Sequence, residues 1–180
     1  MKLIVADAGP LIIFGRTCGI KLIRSVVSQI LVPPAVLSEC IADAAKPGAR
    51  AILSALESGL LTRLNTADFT DTSREILLLD PGEKEAIAAA KFYGCTVLLD
   101  EVVGRSVAKT SGIPVTGSLG ILLLAKEQGI VRTIEPIIAE WKTANYYLSD
   151  KLIDDFLKRA GEKMLATLTS SAIEFQKYQQ

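Results

Sequence analysis

"KLIVADAGPLI", residues 2–12, carries a short unbroken apolar run, Leu3–Ala6, and then sets one carboxylate, Asp7, directly before Ala8-Gly9-Pro10. The run reads as a strand buried on both faces, because it lacks the polar alternation of a half-solvated sheet. Asp7 then stands at the strand's end, where it either caps a following helix or forms one corner of an acidic metal site. The rest of the chain must supply the other corners.

Three more short runs share this character, Ile30–Val32, Thr96–Leu99 and Ile113–Val115, and Leu60–Leu64 is a candidate for a further short strand. Between them, residues 19–28, 34–45, 47–58, 82–93, 102–111 and 118–128 carry apolar side chains at three- and four-residue spacings, as helices do. Pro and Gly punctuate the boundaries. Strand and helix in alternation predict an α/β fold, a three-layer α/β/α sandwich around a mostly parallel sheet of four to five strands. Residues 65–80 read as a polar loop with a helical turn at 73–79, and helices follow at about 133–145 and 149–160. One domain is expected over residues 1–160, with residues 161–180 a C-terminal tail, helical or in contact with a partner.

Composition narrows the chemistry. The 180 residues include no histidine, which excludes Ser-His-Asp and Cys-His triads, HExxH zinc sites and imidazole acid–base catalysis together. The three cysteines, Cys18, Cys40 and Cys95, form no CxxC pair and read as small core residues. Lys+Arg and Asp+Glu are equal at 20 each, so any basic surface for a nucleic acid is local. With no membrane-length apolar stretch and no signal-peptide pattern, a soluble cytoplasmic protein is expected.

Ligands of open parallel sheets sit beyond the carboxyl ends of the strands. There the chain places Asp7, Asp100-Glu101 and Thr116-Gly117-Ser118. Two further acids can join them: Glu39, one turn into a helix and bordering its apolar stripe, and Glu83, in the first turn of another. Carboxylates about 4 Å apart repel by roughly 4 kcal/mol per pair at an effective dielectric of 20, which protonation or a divalent cation must relieve. Oxygen-only ligands suit Mg²⁺ or Mn²⁺, and the matching reaction is metal-assisted phosphodiester hydrolysis. The plainer reading stands beside this one. Asp80-Pro81-Gly82-Glu83 is a capping box with proline at the first helical position, Asp7 can be a cap, Glu39 a solvated flank, and Thr116 and Ser118 caps of the next helix.

Taken in order, "ADAGPLI", "LVPPAVLSE", "DPGEKEAIAAAK", "TVLLDE" followed by "GR", and "GIPVTGSLGILLLAKEQGI" resemble the PIN-domain proteins. The nearest subgroup is prokaryotic, related to VapC toxins and long catalogued as a domain of unknown function. The resemblance spans roughly residues 1–160 and implies a Mg²⁺- or Mn²⁺-dependent ribonuclease, often dimeric, with an RNA substrate and a small antitoxin protein as partner. By position Asp7 is similar to the family's first catalytic acid, Glu39 to the second, and Glu83 to the acid that opens the helix before the third core strand. Asp100 and Glu101 stand where the subgroup has two aspartates. The glutamate is one methylene longer, which leaves open which of the two meets the metal. The resemblance makes Asp7, Glu83, Asp100 and Glu101 the metal ligands, and Thr116 and Ser118 the hydroxyls that orient ligand or water.

Arg105 and Lys109, four apart on one helix, and Arg16 are candidate phosphate contacts, with a solvated, ion-paired face as the plainer reading. Two other functions compete with an endoribonuclease. A catalytically silent PIN-like module binding RNA or protein would use the same fold. A receiver or phosphohydrolase domain would also place an aspartate and Mg²⁺ at strand ends, but position 9 is glycine where the phosphohydrolase wants a second acid, and the receiver's lysine is missing at Thr116-Gly117-Ser118.

Overall fold

The computed structural model describes residues 3–65 and 79–163. Five strands, β1 (Leu3–Ala6), β2 (Gln29–Val32), β3 (Thr62–Arg63), β4 (Thr96–Leu98) and β5 (Val115–Thr116), form one parallel sheet in the order β3-β2-β1-β4-β5. Val5 of the central strand pairs with Leu31 on one side and Val97 on the other. Flanking this sheet are α1 (Ala8–Arg16), α2 (Ile20–Val26), α3 (Pro34–Cys40), α4 (Pro47–Glu57), α5 (Pro81–Phe92), α6 (Val102–Thr110), α7 (Ser118–Glu127), α8 (Glu135–Thr143) and α9 (Asp150–Arg159). The three-layer α/β/α fold expected from the strand and helix alternation is the one observed.

This strand order decides where a site can be. From β1 the chain steps outward through β2 and β3, then returns to the other side of β1 for β4 and β5, so the direction of winding reverses between β1 and β4. At such a reversal the loops leaving the two strands part and open a crevice. Asp7 follows β1 and Asp100 follows β4, one on each lip. The Asp7 N–H donates to the Leu98 carbonyl at 3.0 Å, which carries the ladder one step past β1 and fixes Asp7 beside the end of β4.

Several boundaries differ from expectation, each for a local reason. Helix α1 is absent from the helical segments read in the sequence, where Gly9-Pro10 follows the strand at once. Pro10 lies in the first turn, where no backbone acceptor awaits its missing N–H, so the helix starts at Ala8 and buries Ala8, Pro10, Leu11, Ile13 and Phe14. Helix α3 stops at Cys40, short of residue 45, and residues 41–46 form turns. The last strand is Val115–Thr116 rather than Ile113–Val115, because Gly112 turns the chain at φ 71° and pairing begins only where Val115 meets Val97. The helical turn expected at 73–79 falls almost wholly outside the described residues, as does most of the C-terminal tail. Cys40 and Cys95 are buried and Cys18 partly so, all with free thiols, in keeping with their reading as core residues.

The core beneath the crevice is closed from the far end of the chain. Trp141 of α8 is fully buried, stands edge-on to Phe14 of α1 at 5.2 Å between ring centres, and donates its indole N–H to Thr17 Oγ1 at 3.0 Å. Replacing Trp141 by alanine removes this wedge and is expected to cost about 3–5 kcal/mol of stability, measured as a lowered urea midpoint with an unchanged slope.

Candidate active site

Among the described residues four polar or charged side chains are buried, Asp7, Glu83, Ser118 and Glu135. Three of them, all but Glu135, gather at the crevice between β1 and β4. Burial of charge is costly unless it is paired, so their gathering at one edge needs a reason beyond folding.

Asp7 is the N-terminal flanking residue of α1, yet its side chain makes no capping hydrogen bond to the helix. The capping reading therefore does not account for it. Only 9% of Asp7 is exposed, and its carboxyl is pushed up to about 7, first by burial and then by the charges of Glu39, Asp80 and Glu83, against a lowering contribution from the Ala8 N–H. Near neutral pH it carries a proton part of the time. Cys40 feels the same surroundings, and burial with Glu39 and Asp7 nearby pushes its thiol up to about 12.

Glu83 makes the cap that its position in the sequence suggests. Asp80 Oδ1 accepts from the Glu83 N–H at 2.8 Å and Glu83 Oε2 accepts from the Asp80 N–H at 3.3 Å, a complete capping box with Pro81 in the first turn. That leaves Oε1, which is buried without a hydrogen-bond partner. Burial, and after it the charges of Asp80, Glu101 and Glu39, raise the Glu83 carboxyl above its ordinary range. The cap holds one oxygen and leaves the other buried against Gly104 of α6.

Glycine makes this convergence possible. A methyl placed on Gly82 would lie 3.1 Å from Glu39 Oε2, 3.3 Å from Asp80 Oδ1 and 3.6 Å from Asp7 Oδ1. A methyl on Gly104 would lie 2.6 Å from Glu83 Oε1. Glu39 itself is solvent-exposed, with its carboxyl raised by partial burial and by Asp80. Helix α3, which carries it, has proline at its N-terminus and no capping side chain of its own, and Glu85 of α5 supplies the cap by accepting from the Ala35 N–H at 2.7 Å.

The other lip is differently made. Asp100 Oδ1 accepts from the Ser118 N–H at 2.8 Å, and Oδ2 accepts from two hydroxyls, Ser118 Oγ and Tyr146 Oη. Ser118 therefore orients the carboxylate and is not a cap; the residue flanking α7 is Gly117. Thr116 Oγ1 lies over Gly120, 2.4 Å from where a methyl on that glycine would be. Glu101 is exposed, flanks α6 without capping it, and is the member of its pair whose charge bears on Glu83. Arg105 donates to the Leu99 carbonyl at 2.8 Å and, with Lys109, Ser106 and Asp100, lines a cleft of about 350 Å³. Arg16 is elsewhere, on the wall of a second cavity of about 440 Å³ with Glu39, Asp43 and Lys46.

Among the described residues no three of these acids are drawn closely enough to hold one ion as they stand. Their chemistry nonetheless fits a hard divalent cation. All the donors are oxygens, one carboxyl keeps a proton near neutrality, and one buried oxygen lacks a partner. Two members of the centre escape a reading of the sequence, Asp80, which presents itself only as a helix cap, and Tyr146, which carries no motif.

A five-stranded parallel sheet flanked by helices is consistent with a PIN-like, nuclease-type fold. The chain belongs to the PIN-domain family DUF3368, which matches residues 3–162. No curated protein matches it.

In metal-free buffer the Asp7 carboxyl sets a pH signature. Below about pH 3.8 the folded and unfolded chains both hold its proton. As pH climbs from there toward 7, only the unfolded chain releases it, and the folded state loses up to roughly 4 kcal/mol. Asp7→Asn is expected to be more stable than wild type at pH 8 in EDTA, with the gain shrinking toward pH 4. Urea denaturation at the two pH values measures this, and an equal gain at both would contradict the assignment.

Proposed function

We propose that the protein is a Mg²⁺- or Mn²⁺-dependent endoribonuclease, the toxin of a toxin–antitoxin pair. The observation that carries this reading is the pairing of Asp7, buried and uncapped, with Glu83 Oε1, buried and unpartnered, at the β1/β4 crevice of a PIN domain. Buried acids of like sign whose hydrogen bonding is incomplete weaken a fold, and a cation between them relieves the repulsion. Asp7, Glu83, Asp100 and Glu101 would hold the ion, with Glu39 at the rim. Bound there, such an ion activates water and neutralises charge at the scissile phosphodiester. Ser118 orients Asp100, and the cationic Arg105 and Lys109 offer phosphate contacts along the cleft that Asp100 shares. Thr116, turned toward Gly120, and Arg16, which shares a cavity with Glu39 but not with Asp7, Glu83 or Asp100, are the weaker members of the proposed set.

The partners belong to the same proposal. A homodimer and a small antitoxin follow from the family resemblance, and Val102 and Val103 at the start of α6, 76% and 54% exposed, leave apolar surface beside the cleft. Among the described residues no helix is long and apolar enough to cross a membrane, and a cytoplasmic location is proposed with the toxin role. We also propose residues 1–160 as one domain with residues 161–180 as its tail.

One observation favours a second reading, a catalytically silent PIN-like module. Both oxygens of Asp100 already have donors, and Glu101 departs from the subgroup's aspartate.

Calorimetric titration with Mn²⁺ separates the two. Wild type is expected to bind, with binding lost in Asp7→Asn and in Glu83→Gln, since glutamine still serves the capping box but is a poor ligand. A mixed-sequence RNA should be cut with Mn²⁺ present and left whole in EDTA. Wild type that neither binds Mn²⁺ nor cuts RNA would put the silent module first.

A further inference from the structure

Asp100 sits on the lip of the crevice and is reached from a part of the chain 46 residues away, through the hydroxyl of Tyr146. This tyrosine follows α8 directly after Asn145, whose φ of 58° makes it the one non-glycine residue in the left-handed region among those described. Asparagine tolerates that conformation at small cost, and it folds the chain back so that the Tyr146 N–H donates to the Trp141 carbonyl at 2.9 Å. The phenol ring then stands edge-on to the buried Trp141 at 5.8 Å between centres. The ring is therefore placed by its own neighbours, and the hydroxyl is left to do something else.

What it does is specific. A methyl placed on Gly9 would lie 3.8 Å from Tyr146 Oη and 3.9 Å from Asp7 Oδ2, so the hydroxyl stands at the Asp7 lip while it donates to Asp100 across from it. A carboxylate has about four lone-pair positions, two on each oxygen. Oδ2 of Asp100 spends both on Ser118 and Tyr146, and Oδ1 spends one on the Ser118 N–H. One position remains, on Oδ1.

We propose that Tyr146 is a positioning residue of the acidic centre: with Ser118 it clamps Asp100 in one orientation and leaves Oδ1 as the oxygen that meets an incoming cation. The ligand half of this rests on the metal-dependent reading above; the clamp itself does not. Donors that orient ligating carboxylates are worth about 10–100-fold in metal affinity. Burial and the neighbouring Asp100 push the phenol up, so the hydroxyl stays a donor throughout the physiological range.

The test is Tyr146→Phe, which keeps the ring against Trp141 and removes only the donor. Fluorescence of Trp141, the single tryptophan of the chain, reports that the packing is kept. In metal-free protein the side-chain carboxyl ¹³C resonance of Asp100, assigned with Asp100→Asn, is expected to move in Tyr146→Phe, and Mn²⁺ is expected to bind about tenfold more weakly. Ser118→Ala should move the same resonance, and the double variant should lose less affinity than the product of the two single losses. An Asp100 resonance that stays in place in Tyr146→Phe would overturn the clamp. So would unchanged Mn²⁺ affinity in that variant where wild type binds the ion. Should wild type bind no Mn²⁺ while the resonance still moves, the clamp stands and the metal reading of the centre falls.

Discussion

Like charges brought out of water are the constraint around which this molecule is arranged. Asp7, Glu39, Asp80 and Glu83 press on one another at the end of the central strand, and Asp7 and Glu83 do so in burial. Each is dealt with differently. Asp7 keeps its proton toward neutrality, Glu83 gives one oxygen to a helix cap, Glu39 reaches in from solvent, and Asp100 on the facing lip accepts three hydrogen bonds. These are the accommodations of a protein that holds acids where a hydrophobic residue would have packed better.

The sheet order is what brings them together. Asp7 and Asp100 are far apart in sequence, and only the reversal of winding between β1 and β4 sets them on facing lips. The glycines at 82 and 104 complete the approach, because a methyl at 82 would sit among carboxylate oxygens and one at 104 would press on Glu83 Oε1 and Leu99. Cap and site are the same residues here: the hydrogen bonds that begin α5 also aim Glu83 Oε1, so helix stability and the geometry of the centre are coupled.

Much of this was legible in the sequence, and the parts that were not have physical causes. The strands could be read because parallel strands buried on both faces are unbroken apolar runs; Asp7 and Asp100 stood out as candidates because they follow strands, and Glu83 because it lies in the first turn of an apolar helix. Helix α1 was hidden by Gly9-Pro10, a pair that signals a turn unless the proline falls in a first helical turn. Ser118 was legible as a hydroxyl at a strand end, but its service to Asp100, through both N–H and Oγ, depends on the pairing of β4 with β5. Tyr146 had no signal at all. It comes from a loop after α8, and nothing in local pattern says that an aromatic there turns back to a carboxylate 46 residues earlier. Asp80 was legible only as a cap, because the same side chain position serves both purposes.

The bond from the Ala35 N–H to Glu85 has a consequence for anyone who would transplant this centre. Glu39 and Glu83 belong to α3 and α5, segments with no shared sequence neighbourhood, but Glu85 staples the start of one helix to the first turns of the other. The two helices behave as a single jaw. A graft that copied the acids onto another scaffold without Glu85 would carry the teeth and leave the hinge pin behind.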